Sequence, residues 1–199
     1  MEDERLLPVE VETCAMSEEA LAAYAEVPIR FEVWERLRVG VGDAGRALEG
    51  LAVERVVPGY VKDYDALPAE GPMGWPRRFD VGCWGLLMAQ RDGRCVGGAV
   101  VAQGSTGVEM LEGRDDLAVL WDLRVEPAAR GCGVGRRLFA AAAAWAVERG
   151  CVELRVETQD INVSACRLYA GQGCRLMSVE PGAYVDCPGE AKLIWQKVF

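Results

Sequence analysis

One short segment constrains this chain more than any other. The segment Arg130–Arg136, with the sequence RGCGVGR, follows an apolar strand pattern and opens an alanine-rich helix pattern. Glycines at such a junction let backbone N–H groups approach an anion, and the helix dipole adds about half a positive charge there. Arg130, Arg136 and Arg137 also bring three cations together in an acidic chain. This segment, called the glycine loop below, therefore predicts a diphosphate site.

Several diphosphate ligands use glycine-rich loops, and the sequence separates them. A phosphate loop of the Walker type needs G-x-x-x-x-G-K-[ST], which is absent. A dinucleotide fingerprint that starts at Gly131 needs glycine or alanine five positions later, where Arg136 stands. Glu153 and Glu157 lie where a ribose-binding acid would fall, which favours a dinucleotide, but a doubly wound fold needs repeated βαβ units.

The pattern around the loop predicts an α/β (α+β) fold with a mixed, mostly antiparallel sheet and one central βαβ crossover. Its predicted strands are Val9–Thr13, Trp84–Gln90, Cys95–Gln103, Leu117–Val125, Cys151–Glu157, Cys174–Val179 and Ala191–Val198. Its predicted helices begin at Ser17, at Ile29 (ending at Arg38), near Gly133 (ending at Arg149) and at Asn162 (ending at Ala170). A long loop, rich in proline and glycine, is expected over Pro58–Pro76.

Composition excludes several kinds of chemistry. The chain has no histidine, and its eight cysteines form no C-x-x-C pair, so we expect no metal site and no histidine base. The net charge of −9 argues against a nucleic-acid partner and suits an amine substrate, although it is also explained by solubility alone. An acidic N-terminus and the short apolar run Phe139–Val147 predict no membrane association and a cytoplasmic protein.

Residues 123–138 and 162–174 carry a specific resemblance. The pattern L-x-V-x-P followed by the glycine loop is similar to the R-x-x-G-x-G/A cofactor motif of the GNAT acetyltransferase superfamily. The second segment resembles the N-x-x-A-x-x-x-Y motif of that superfamily. Its residues Asn162, Ala165 and Tyr169 fall on one face of a helix. Residues 54–62, 157–167 and 190–199 look most like the streptothricin acetyltransferases.

The resemblance implies a single acetyltransferase domain over residues 1–199, acting as a monomer or a homodimer. Residues 1–80 would supply the acceptor side, and residues 83–199 the core that binds acetyl-CoA. The strands before and after the central helix would splay apart, and a backbone N–H near Leu123 or Arg124 would polarise the acetyl carbonyl. The implied cofactor-binding residues are Leu123, Val125, Arg130, Gly131, Cys132, Gly133, Val134, Gly135, Arg136, Asn162 and Tyr169.

The same resemblance assigns Tyr169 as the general acid that protonates the departing thiolate. An aromatic residue that only packs the short helix is the structural alternative. Without histidine, a base must be a carboxylate, and Asp122 is the candidate. Asp122 could equally anchor a cationic substrate or pair with Arg124, and strand alternation places it opposite Trp121 and Leu123.

The expected reaction is transfer of acetyl from acetyl-CoA to a primary amine of a small molecule. The resemblance implies a streptothricin-like antibiotic as acceptor and therefore a role in antibiotic resistance. A polyamine or an amino acid stays open as acceptor. A CoA-binding sensor without catalytic activity is the alternative from another functional class.

Overall fold

The computed structural model describes residues 9–66 and 71–199, so the acidic N-terminus and part of the predicted long loop lie outside the described residues. The contacts between residues divide the chain into two compact units. Unit 1 comprises Met1–Arg30 and Asp63–Val152, and unit 2 comprises Phe31–Lys62 and Glu153–Phe199. The prediction of one domain, divided near residue 80 into acceptor and cofactor sides, stays a prediction.

The described residues of unit 1 form four strands, each of which pairs antiparallel with its neighbour in this unit. In spatial order they are β1 (Glu10–Cys14), β4 (Gly85–Arg91), β5 (Arg94–Ala102) and β6 (Leu117–Val125). The predicted hairpin between β4 and β5 is confirmed. Asp92 and Gly93 both have positive φ, as a two-residue hairpin turn requires.

The helices of unit 1 are α1 (Glu18–Ala25), the single turn α2 (Trp75–Arg78) and α3 (Val134–Glu148). A Cβ on Gly97 would point at Leu138 of α3, whereas a Cβ on Gly98 would lie 2.5 Å from the ring of Tyr24 in α1. Successive strand residues point to opposite faces, so α1 and α3 cover opposite faces of this sheet. Only glycine at position 98 lets Tyr24 lie this close to the strand.

Unit 2 contains two sheets and one helix. The first sheet has β7 (Glu153–Gln159), β9 (Ala191–Val198) and β8 (Arg175–Pro181) in that spatial order, all antiparallel, and the helix is α4 (Val163–Gly171). The second sheet is an antiparallel pair formed by β2 (Phe31–Arg38) and β3 (Ala52–Lys62).

Strand β2 corrects the predicted helix over Ile29–Arg38, which was wrong. Val33 and Leu37 are each 1% exposed, and a spacing of four residues places two side chains on one face of either a helix or a strand. Pairing with β3 decides in favour of the strand. The expected loop from Pro58 was also wrong at its start, because β3 continues to Lys62.

The predicted α/β class with mostly antiparallel strands is confirmed, and strand, glycine loop, α3 and β7 follow one another in the predicted order. The splay between the strands on either side of α3 stays a prediction. Within residues 9–66 and 71–199, the structure contains no helix that is long and apolar enough to cross a membrane.

Candidate functional site

The glycine loop connects β6 to α3 through a single 3-10 turn at Pro127–Ala129. Gly131 and Gly133 have φ values of +77° and +83°, a conformation that other residues rarely adopt. Gly133 is the N-cap residue of α3, and no side chain caps the helix there. The N–H groups of the first turn of α3 have no intrahelical acceptors and are therefore available to an anion.

Arginines at the loop have different positions. Arg136 is exposed, and its guanidinium lies 3.6 Å from where a Cβ on Gly133 would stand. The Arg137 side chain turns away and donates to the carbonyl of Val9 at 3.4 Å. Cys132 is exposed between the two positive-φ glycines. Arg136 is therefore the cation that lies against the open end of the helix.

The Arg130 side chain contacts backbone carbonyls outside the glycine loop. Its Nε donates to the Val125 carbonyl at 2.8 Å, and its Nη2 donates to the carbonyls of Pro28 at 3.2 Å and Arg30 at 2.8 Å. Desolvation, and then the charge of Arg30, lower the pKa of Arg130. The guanidinium thus joins the loop to the segment that follows α1, and its role as a phosphate ligand stays a prediction.

A β-bulge in β6 sets the orientation of the candidate base. Val100 pairs with Asp122, but Val101 pairs with Leu120, so Trp121 is one residue extra on β6. Trp121 packs on Trp84 at 5.4 Å, within the cluster that also contains Tyr24 and Val100. Trp121 and Asp122 therefore share the face covered by α1, and the expectation from simple alternation was wrong for Trp121.

A buried cluster of charges surrounds Asp122. Arg124, which is 2% exposed, donates to both carboxylate oxygens of Asp122 at 3.0 and 2.7 Å. It also donates to Asp65 at 2.7 Å and to the carbonyl of Val27 at 3.2 Å. The Tyr24 hydroxyl donates to Asp122 as well, and the Arg124 guanidinium lies 4.8 Å from the centre of the Tyr24 ring.

Burial alone would lower the pKa of Arg124, but the charge of Asp122 and its hydrogen bonds outweigh that effect and raise it. Burial, and then the charge of Asp122, hold the pKa of Tyr24 well above its usual range. Removing Asp122 would leave a buried guanidinium without its main counterion, at a cost of about 3–5 kcal/mol. The structure shows the expected ion pair with Arg124, whereas the role of Asp122 as a base stays a prediction.

Leu123 and Val125, on β6 before the glycine loop, point to the face of the sheet that α3 covers, opposite to Asp122 and Arg124. Val125 pairs with Gly97, which faces α3, and it is 8% exposed. Leu123 pairs with Ala99, two residues along the same face. Val134, the first residue of α3, is buried at 1% exposure, whereas Gly135 is partly exposed. The apolar members of the motif thus anchor the loop, and its polar backbone stays accessible.

In unit 2, Asn162 caps α4. Its Oδ1 accepts a hydrogen bond from the N–H of Ala165 at 3.2 Å, as the predicted helix start requires. Tyr169 is 5% exposed, and its carbonyl accepts hydrogen bonds from the N–H groups of Gln172 and Cys174. The assignments of Asn162 to the cofactor and of Tyr169 to proton donation stay predictions.

Sequence reasoning missed Tyr24 and Asp65 as partners of Arg124. The available signal was Asp122 and Arg124 at a spacing of two on one strand, which places both on one face. Asp65 is 59 residues away in sequence, so no local pattern reveals it. Among the described residues, no group of three or more acidic residues or cysteines is arranged to hold a metal ion.

Comparisons with known proteins show the family and the fold of this chain. The family model for the acetyltransferase (GNAT) family matches residues 57–174, which is more than half of the chain. A streptothricin acetyltransferase of Escherichia coli is 31% identical over 110 residues, which cover 54% of this chain and 63% of that protein. Streptothricin acetyltransferase A of Bacillus subtilis is 32% identical over 110 residues, which cover 54% of this chain and 58% of that protein. The match spans less than two thirds of either relative.

Solved structures show the same fold over nearly the whole chain. A Bacillus anthracis protein solved in complex with acetyl coenzyme A has a TM-score of 0.75 and 23% identity, covering 96% of this chain and all of that one. Nourseothricin acetyltransferase has a TM-score of 0.69 and 22% identity, covering 96% of this chain and 98% of that one.

Proposed function

The chain belongs to the GNAT acetyltransferase family, and from this premise we propose that it transfers an acetyl group from acetyl-CoA to a primary amine of a small molecule. The observation that carries the proposal is the open N-terminus of α3, where a glycine with positive φ replaces the usual side-chain cap. Such an end accepts an anionic group, and acetyl-CoA carries a diphosphate next to its acylated arm.

The residues present fit that cofactor. The N–H groups that open α3 would hold the diphosphate, and Arg136 would add an exposed cation at its edge. Val125 and Val134, both buried, fix the two ends of the loop against the core. Acetyl-CoA, when bound, supplies the activated thioester. The protein has to orient it and exclude water. The ammonium of the acceptor must lose one proton to a carboxylate or to solvent before the amine attacks, and the departing thiolate must then gain one proton.

Tyr169 is the residue that we propose for that proton. A phenol of pKa about 10 can share a proton with a departing thiolate whose conjugate acid has a pKa of about 8.5. The assignment rests on the resemblance of the Asn162–Tyr169 segment to the family motif. Asp122, held by Arg124 and Tyr24, would attract the ammonium of the acceptor.

For the acceptor we propose a streptothricin-like antibiotic, modified on an exposed primary amine. The two curated relatives carry that substrate in their names, and the net charge of −9 suits a cationic acceptor. The enzyme would then confer resistance by acetylating the drug inside the cell. All eight cysteines are free in the structure, which suits a reducing cytoplasm.

The test is a screen of amine acceptors with detection of released CoA thiol. Streptothricin should be acetylated, and polyamines and amino acids should be poor acceptors. Replacing Tyr169 by phenylalanine should lower turnover about a hundredfold or more and leave the Kd for acetyl-CoA unchanged. Unchanged turnover would contradict the assignment of Tyr169. Binding of acetyl-CoA without thiol release for any amine would indicate a sensor instead of an enzyme.

A further inference from the structure

Arg124 and Arg130, six residues apart, both donate hydrogen bonds to the backbone that follows α1. This backbone is the segment Val27–Arg30, which is called the α1 exit below. Arg124, near the end of β6, donates to the carbonyl of Val27 at 3.2 Å. Arg130, the first residue of the glycine loop, donates to the carbonyls of Pro28 at 3.2 Å and Arg30 at 2.8 Å.

Arg130 uses two of its three guanidinium nitrogens on backbone carbonyls in this arrangement. Its Nε is used by the carbonyl of Val125, and its Nη2 is shared between two carbonyls of the α1 exit. Arg136, on the other side of the loop, lies exposed beside Gly133 and has no such contacts in the described part of the chain. The two arginines of the motif are therefore used differently.

The α1 exit is connected to the acidic residues that would bind the acceptor amine. It directly follows α1, whose Tyr24 donates to Asp122. Arg124 joins it to Asp122 on one side and to Asp65 on the other. A shift of the α1 exit would thus move the acidic and aromatic groups on this face of β6, while the open end of α3 would keep its own backbone geometry.

We infer that Arg130 is a positioning residue that fastens the α1 exit to the glycine loop, and that it governs binding of the acceptor amine more than binding of acetyl-CoA. Arg136 has the converse role and contacts the diphosphate. This inference rests on the proposed function, since it assigns one side of unit 1 to the acceptor. The forked guanidinium is essential for Arg130 because it serves several carbonyls at once.

A matched pair of substitutions in the wild-type protein tests the inference. Arg130→Gln should raise the KM for streptothricin about tenfold and change the Kd for acetyl-CoA by less than about twofold, since the bonds that it removes go to carbonyls of the α1 exit and of Val125 and not to the open end of α3. Arg136→Gln should raise the Kd for acetyl-CoA about tenfold and leave the KM for streptothricin unchanged. Binding is measured by calorimetry and KM by thiol release.

Arg130→Lys distinguishes the role of the forked guanidinium group from that of the positive charge. It also serves as the test variant if Arg130→Gln does not fold. It keeps the charge, so a phosphate ligand would be largely rescued, whereas an arginine that fastens two carbonyls would not be. We expect the raised KM for streptothricin to persist in Arg130→Lys. An equal rise in the Kd for acetyl-CoA in Arg130→Gln and Arg136→Gln, with recovery in Arg130→Lys, would overturn the inference. A wild-type protein that binds no acetyl-CoA would instead contradict the proposed function.

Discussion

The N-termini of α3 and α4 both follow a strand, but they are closed in different ways. Asn162 closes α4 with its side chain, which accepts a hydrogen bond from Ala165, and the backbone of Asn162 itself donates to Gln159. The N-cap of α3 is Gly133, which has no side chain to offer and adopts a left-handed conformation. One end is satisfied within the protein, and the other is left for a ligand.

The two helix starts are otherwise alike in burial. Val134 and Val163, the first residues of α3 and α4, are 1% and 2% exposed, and each first turn carries an exposed residue, Arg136 in α3 and Ser164 in α4. The cap, and not burial, therefore distinguishes the two helix ends. The helix dipole is positive at the N-termini of both α3 and α4, so the cap determines which of the two N-termini can bind an anion.

The largest effect should come from placing a negative charge at the open end. Gly133→Asp would put a carboxylate where the diphosphate is expected and would strain the left-handed backbone. We expect the Kd for acetyl-CoA to rise about a hundredfold or more, as measured by calorimetry. Gly113→Asp is a matched control, because Gly113 also has positive φ but lies outside the loop. Equal affinity in wild type and Gly133→Asp would show that the end of α3 does not bind the donor.

A smaller effect should follow from opening the closed end. Asn162→Ala removes the cap of α4, so the free energy of unfolding should fall by about 1 kcal/mol, as measured by urea denaturation. If Asn162 serves only as a cap, the Kd for acetyl-CoA should not change. A clear loss of affinity with unchanged stability would instead support the assignment of Asn162 to the cofactor. Asn162→Ser, which keeps a capping oxygen, should restore most of the stability.

The smallest effect is expected at Cys132. Its replacement by serine should change the Kd for acetyl-CoA by less than about twofold, because a small side chain is all that this loop position requires. Iodoacetamide should modify Cys132 in the free protein, and saturating acetyl-CoA should slow that reaction. Cys166 provides the contrast, since burial raises the pKa of its thiol to about 12 and should leave it unmodified. A rate at Cys132 that acetyl-CoA does not alter would place the donor elsewhere.

The sequence was most informative where local pattern and function coincide. The bounds of β6 and β9 agree with the predicted strands, because each is rich in apolar residues and follows turn residues. The start of α4 was found from its capping asparagine. The donor loop was found because glycine, arginine and an alanine-rich helix fall together within a few residues.

What the sequence could not reveal depends on distant partners. Strand β2 was interpreted as a helix because its buried residues are spaced by four, and only β3 settles the choice. The cluster around Arg124 joins residues from α1, β6 and the segment after β3, with sequence separations of 59 and 97 residues to Asp65 and Val27. The carbonyls of Pro28 and Arg30 that accept hydrogen bonds from Arg130 lie about 100 residues earlier, so the sequence around the glycine loop did not reveal these contacts.

The identity of the acetyl donor is tested most directly by measuring which ligand stabilises the folded protein. Acetyl-CoA, NADH and ATP are each added to the wild-type protein, and the free energy of unfolding is measured by urea denaturation. At about 100 times its Kd, acetyl-CoA should stabilise the protein by about 2.7 kcal/mol, whereas NADH and ATP should have little effect. Stabilisation by NADH or ATP, without stabilisation by acetyl-CoA, would contradict the account.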